Sequence, residues 1–304
     1  MTAHATMAPP VPEHRPLDPK GAALSLLLAA LWGANPVAIK LGLADMPPFR
    51  LALARFALSA VVIFGYAMLT RQYDVLVIRR GEGRAIASLG WLFVVQVALM
   101  NYGLERTTAA HGVVVLNSYA VHTVVFAHFL IPGDRLTPRK LAGVLIAYSG
   151  VVILFARSFS MSSSTLVGDL IVAVSALILG DRVVYIARAV QHLDPVRLML
   201  YQSLVGCGGF LLLSLLTEAD RATHWTLALA LSILFQGALV GGFNFLLNAM
   251  LLQIYRPSGL ATMALTTPIW GVLVAAAVNR EGLSPELALS TLLVVAGIAL
   301  TARR

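Results

Sequence analysis

AALSLLLAALWGANPVAIKLGL, residues 22–43, decides what kind of protein this is, and Lys40 is its one charged side chain. A helix rises about 1.5 Å per residue, so the run is about 33 Å long and crosses a hydrocarbon layer of about 30 Å. Nine further apolar runs follow at 47–70, 84–104, 109–131, 138–157, 166–187, 195–216, 225–252, 257–279 and 284–302. With 59% hydrophobic and 12% charged residues in a chain of 304, no soluble core could take up that surface. The sequence predicts an all-α membrane protein of ten transmembrane helices, with no length left for a separate aqueous domain. The eighth run is longer than a perpendicular crossing needs, so it is expected to tilt or to extend into water.

Residues 1–20 carry five prolines among polar side chains, a composition that cannot bury a core and predicts a flexible tail rather than a signal peptide. The net charge of +8 is explained by membrane topology and not by nucleic-acid binding. Counting loops together with the adjoining span ends, 14 Lys and Arg fall on the N-terminal side and 6 on the opposite side, with Arg71, Arg79, Arg80 and Arg84 the densest group. The excess predicts both termini in the cytoplasm of a bacterial inner-membrane protein. Cys207 is the only cysteine, so neither an internal disulfide nor a cysteine zinc cluster is available.

The chain repeats. A shift of 147 residues without a gap superposes Gly33 on Gly180, Pro48 on Pro195, Arg50 on Arg197, Asn101 on Asn248, Gly112 on Gly259, Pro138 on Pro285 and Gly150 on Gly297. Two phrases agree as well, DRLTP at 134–138 and EGLSP at 281–285. The reading is a first five-helix repeat at 21–157 and a second at 168–304. Five crossings is an odd number, so the second copy enters the membrane from the opposite side, as in secondary transporters with inverted repeats.

These residues resemble the drug/metabolite transporter superfamily, in its ten-helix branch of two EamA-type repeats, over roughly 22–302. The resemblance rests on WGAN at 32–35 with Ile39 and Lys40, on Pro48, Arg50 and Arg55, and on Asn101 and Tyr102. It continues through Ala109 to Gly112, the two loop phrases and Gly150, and Pro268 matches the family's proline before the second loop. The chain is also similar to the YddG-type exporters of aromatic amino acids. Val121 stands where the first repeat would have the proline, so a proline-dependent bend is missing there.

A charge at the bilayer centre costs about 2.5–3.5 kcal/mol on insertion scales, so each one needs a reason. Lys40 is near a helix end and can snorkel. Arg55 lies about two turns deep and must face the interior, as a structural counter-charge or as a ligand for a substrate carboxylate. Asp181 shares a helix face with Tyr185 and Arg188, which suggests a gate or charge network; the adjacent Arg182 points about 100° away.

Uncharged polar groups form stripes. Trp32 and Asn35 lie on the first helix, beside Pro36. Tyr102 ends the third span, and His111, Asn117, Ser118, Tyr119 and His122 lie along the fourth. Asn244 and Asn248 share a face of the eighth, and Thr262, Thr266 and Trp270 one of the ninth. Each could simply bond a neighbouring helix at about 0.6 kcal/mol. Together they suggest a central cavity whose aromatic walls, amides and hydroxyls suit a zwitterion with an apolar side chain. Gly237 with Gly241, and Gly206, Gly208 and Gly209, are read as close helix contacts.

No Walker phrase supports direct use of ATP, no cofactor is implied, and no nucleophile–base set or i, i+4 metal pair marks an enzyme. The few membrane carboxylates favour facilitated diffusion over proton antiport, with Asp181, His111 and His122 as the groups that could titrate. The expected function is export of small organic metabolites, foremost amino acids with aromatic or other apolar side chains, by alternating access. Another metabolite class (nucleotide sugar, purine or drug) is the alternative, ahead of a channel or membrane enzyme. The partners are a small-molecule substrate and the lipid bilayer, with oligomeric state left open and a monomer admissible.

Overall fold

The computed structural model describes residues 18–130, 136–190, 193–255, 263–264, 266–278 and 282–302. Most of the N-terminal tail, the starts of the two loop phrases, Gly259 and Thr262 lie outside the described residues. The chain runs through α1 (Pro19–Leu43), α2 (Pro48–Leu69), α3 (Gly83–Arg106), α4 (Ala109–Asn117) with α5 (Tyr119–Leu130), and α6 (Pro138–Met161). It continues with α7 (Ser163–Ala189), α8 (Pro195–Thr217), α9 (Leu227–Leu234), a π-helical stretch (Phe235–Asn244), α10 (Phe245–Ile254), α11 (Thr267–Val278) and α12 (Pro285–Ala302). Among the described residues seven helical runs are long and apolar enough to cross a membrane, and α11 and α12 are shorter apolar helices. The surface is that of a protein in lipid: Val61, Trp91, Val152 and Leu216 stand 59–71% exposed on the spans.

Helices begin where a polar side chain receives their free N–H groups. Asp18 accepts from Gly21 N at 2.6 Å, Ser162 from Thr165 N at 3.1 Å and Asp194 from Val196 N and Arg197 N at 2.9 and 3.0 Å. The α2 helix has no local cap; Glu218, at the far end of α8, accepts from Phe49 N at 2.7 Å and Arg50 N at 2.9 Å. That cap is tertiary.

The 147-residue offset reappears as reciprocal contact. A Cβ on Gly150 would meet Ser290 O at 2.8 Å, and one on Gly297 would meet Gly143 O at 2.5 Å, so α6 and α12 cross through equivalent positions. Gly33 lies on the backbone of Thr267 and Gly271 in α11, and Gly180 on that of Tyr119 and Thr123 in α5. Arg50 donates to Arg221 O and Arg197 to Asp74 O, carbonyls that are again 147 apart. Residue i touching j while i+147 touches the partner of j is the signature of a twofold axis. With five crossings per copy, that axis lies in the membrane plane.

One expectation changes. The fourth crossing breaks at Ser118 without any proline. Asn117 Nδ2 donates back to Val113 O at 2.7 Å and Ser118 Oγ to Val115 O at 2.7 Å; side chains that compete for helix carbonyls bend a helix. The eighth crossing contains a π stretch, whose wide i→i+5 turns shorten it slightly. Gly237, Gly241 and Gly242 in that stretch lie directly on Arg55, Ser59 and Val62 of α2. Gly206 and Gly209 likewise meet Phe93 and Val94, whereas Gly208 meets nothing within 4 Å.

Candidate functional site

A cavity of about 560 Å³ opens between the start of α3 and the ends of α5 and α7, lined by Ala85, Leu130, Asp181, Val184, Tyr185, Arg188 and Ala189. Asp181, Val184, Tyr185 and Arg188 are spaced 3, 4 and 7 apart, so one face of α7 forms its wall. This is the end of the bundle that carries Arg79, Arg80 and Arg84. Two of the three residues assigned to a gate, Asp181 and Tyr185, face this space. Arg55 and the ten residues assigned to substrate binding do not line it.

Those ten are distributed as follows. Trp32 is 37% exposed and meets the Phe245 ring edge-on at 5.3 Å. Asn35 is buried, and its Oδ1 has no partner. Tyr102 is at the opposite end from the cavity, between Phe49, stacked at 6.3 Å, and the Arg106 guanidinium, 3.5 Å above its ring. Asn117 bonds its own helix. Tyr119 gives its backbone carbonyl to Thr123 Oγ1 at 2.9 Å beside Gly180. His122 is buried, 3.5 Å from Ser118 Oγ and 5.4 Å from the Tyr148 ring. Asn244 donates to Leu28 O at 3.3 Å, while Asn248 is half-buried. Thr266 donates to Met263 O at 2.7 Å and accepts from Trp270 Nε1 at 3.2 Å, so that stripe closes on itself.

Arg55 is 2% exposed and donates to Gln236 Oε1 at 3.0 Å, with its guanidinium 4.5 Å from the Phe56 ring. Gln236 Nε2 is anchored in turn on Ser232 Oγ at 2.7 Å and Ala38 O at 3.2 Å. Arg182 is arranged alike: 5% exposed, donating to Gln96 Oε1 at 2.9 Å and lying 4.9 Å from the Phe93 ring. Gln96 is anchored on Ser175, through Nε2 at 3.0 Å. Phe56, Phe93 and Phe210 form one aromatic cluster, the first two edge-to-face at 4.6 Å. The sequence reading named both arginines but missed Gln96 and Gln236. A lone amide within an apolar run was the available signal.

At the end opposite the cavity, Asp169 is fully buried; it accepts from Thr107 Oγ1 and lies 2.9 Å from His111 Nδ1. His111 is thus tied to α7 and not to the stripe of Ser118 and His122. Lys40 Nζ closes the end of α3 through Leu104 O at 2.9 Å and Glu105 O at 3.1 Å, and Asn101 Nδ2 donates to Pro48 O at 2.9 Å. At the cavity end, Asp18 holds Tyr255 Oη at 2.8 Å, and its bonds from Gly21 N and then Tyr255 keep its carboxyl below the usual value of 3.8. Among the described residues no group of three or more His, Cys, Asp or Glu is placed to hold a metal.

A family model described as EamA-like transporter family matches the chain twice, at residues 19–156 and 166–303. The chain is 26% identical to the "Probable amino-acid metabolite efflux pump" of Salmonella typhimurium over 90% of its length and 92% of that protein's. It is 25% identical to the protein of the same name in Escherichia coli, covering 92% and 93%. It is 24% identical to the "Uncharacterized transporter YoaV" of Bacillus subtilis, covering 88% and 91%. One solved structure, described only as a crystal structure of protein, has the same fold, with a TM-score of 0.67 at 21% identity over 93% of this chain and 97% of its own.

Proposed function

Since the chain belongs to the EamA-like transporter family and is a multi-pass membrane transporter rather than an enzyme, we propose that it exports amino acids with aromatic or other apolar side chains by alternating access. The proposal places it in a bacterial inner membrane with both termini cytoplasmic, as repeats 21–157 and 168–304 that rock against each other. The observation that carries this reading is a broken symmetry. Asn101 ties α3 to the start of α2 at one end, while its repeat partner Asn248 makes no matching bond to Pro195. A cavity lined by Asp181 and Tyr185 opens at that second end instead. Exchanging the two arrangements across the pseudo-twofold axis closes one end and opens the other.

Trp32, Asn35, Tyr102, Asn117, Tyr119, His122, Asn244, Asn248, Thr266 and Trp270 are proposed to meet the substrate along that path, with Arg55, Asp181 and Tyr185 controlling passage. The relatives called amino-acid metabolite efflux pumps support an amino-acid substrate. Flux is driven by the substrate's own gradient.

Counterflow into liposomes holding the purified chain tests this with labelled phenylalanine, leucine, lysine and a nucleotide sugar. Phenylalanine and leucine should exchange, with rates independent of an imposed pH difference, and Asn35→Ala should abolish exchange in folded protein. Exchange of the nucleotide sugar alone would replace the substrate class, and rates that scale with the proton gradient would replace the energy source.

A further inference from the structure

We infer that Arg55 and Arg182 form an anion-binding pair within the membrane, so that a transported molecule must bring a carboxylate or comparable oxyanion to them. The inference rests on the carrier reading and names the chemical feature by which that carrier selects its substrate.

Both guanidinium groups are more than nine-tenths buried, and the Nε of each has no hydrogen-bond partner. Among the described residues neither has a carboxylate within ion-pair distance. By contrast, Arg79, Arg106, Arg197 and Arg221, all toward the helix ends, each have one. What the core arginines have is a neutral amide oxygen apiece, Gln236 Oε1 and Gln96 Oε1. An amide oxygen satisfies a donor but leaves the full positive charge in place, and a charge in a hydrocarbon layer is retained only for a reason.

Aromatic rings supply partial compensation through their negative faces: Arg55 lies over Phe56 and Arg182 over Phe93, two rings that meet edge-to-face. An anion's oxygens would take the places of the two amide oxygens, each glutamine turning aside and giving up its own anchoring bonds to Ser232 and Ala38 or to Ser175. Asp181, adjacent in sequence to Arg182, faces the cavity and forms no ion pair with it.

A purely structural role for the two cations makes a different prediction, and four compounds with one phenyl side chain separate the two. Phenylalanine and phenylpyruvate have a carboxylate; phenethylamine and phenylalaninamide do not. Their binding to the purified full chain in detergent is read from the rise in its thermal unfolding temperature with ligand concentration. The two acids should stabilise the wild type and the other two should not. Arg182→Gln and Arg55→Gln should each weaken the acids by at least about tenfold, the effect of losing a charge-assisted bond. Arg182→Lys, which keeps the charge, should lose less and keep the preference for acids.

Equal binding of the amine and the amide would overturn the inference, as would an unchanged response to the acids in the Gln variants or no response to either acid. Where the Gln variants do not fold, the wild-type panel and the Lys variant decide. Binding of phenylpyruvate without phenylalanine would leave the anion pair standing and remove the amino-acid reading.

Discussion

Arg50 and Arg197 lie 147 residues apart at opposite ends of the bundle, and each reaches an equivalent backbone carbonyl across a helix pair. Arg197 is additionally paired with Glu82 at 3.0 Å and with Asp74 at 3.3 Å. Arg55 and Arg182 lie deeper and have only glutamines and phenyl rings. The two rim residues are positional repeats of one another. The two core residues are not: position 202, the counterpart of 55, is glutamine, and position 35, the counterpart of 182, is asparagine. Duplication preserved this rim fastening, whereas the core charges belong to one copy each. The backbone contacts of Arg50 and Arg197 recur under the symmetry, whereas the bond of Asn101 to Pro48, the buried Asp169 and the two core arginines belong to one copy each.

The sharpest way to break the comparison is at the rim. Arg197→Ala leaves Glu82 facing a buried space without its cation. It should cost about 3 kcal/mol, seen as early unfolding in detergent, well before any effect on ligand selectivity. Next, Gly180→Leu forces a side chain into His122 and the backbone of Tyr119 and Thr123. A loss of about 2 kcal/mol is expected, against less than about 0.5 kcal/mol for Gly208→Ala, where space is open.

Gln96→Glu would turn a core arginine into a rim-like one. It should stabilise the ligand-free protein by about 1 kcal/mol while reducing acid binding more than tenfold. Stability and binding should therefore move in opposite directions.

The smallest effect belongs to Asp18→Ala. Asp18's folded pKa lies below 3.8, so its contribution is present above that value and fades as pH falls through the lower folded value. The wild type should melt slightly higher than the variant at neutral pH. The two should converge in strong acid.

The sequence made the architecture legible because lipid imposes a length and an apolarity on every crossing, and because the repeat shows itself in Gly, Pro and Arg. Gly33, Gly180, Gly150 and Gly297 showed the repeat by their offset, and the structure places them at helix crossings. The Asp181–Tyr185–Arg188 face followed from helical period. The candidate site was less legible. Asn117 and Ser118 also bond back to Val113 O and Val115 O where the fourth crossing breaks, a local competition for carbonyls that helical period does not show. Val121 suggested a missing bend because the expectation was tied to proline, although hydroxyl and amide side chains can do the same work.

The sequence by itself determined ten crossings, the inverted repeat and several close helix approaches (Gly206, Gly209, Gly237 and Gly241, though not Gly208), since each depends on one residue's own size, polarity or spacing. Only the tertiary structure decided what each polar group meets. Glu218 caps a helix about 170 positions earlier, Asp169 holds Thr107 and His111, and glutamines stand where Arg55 and Arg182 would otherwise require carboxylates. Pairings of that kind join distant segments through side chains with several rotamers, and no periodicity along the chain encodes them.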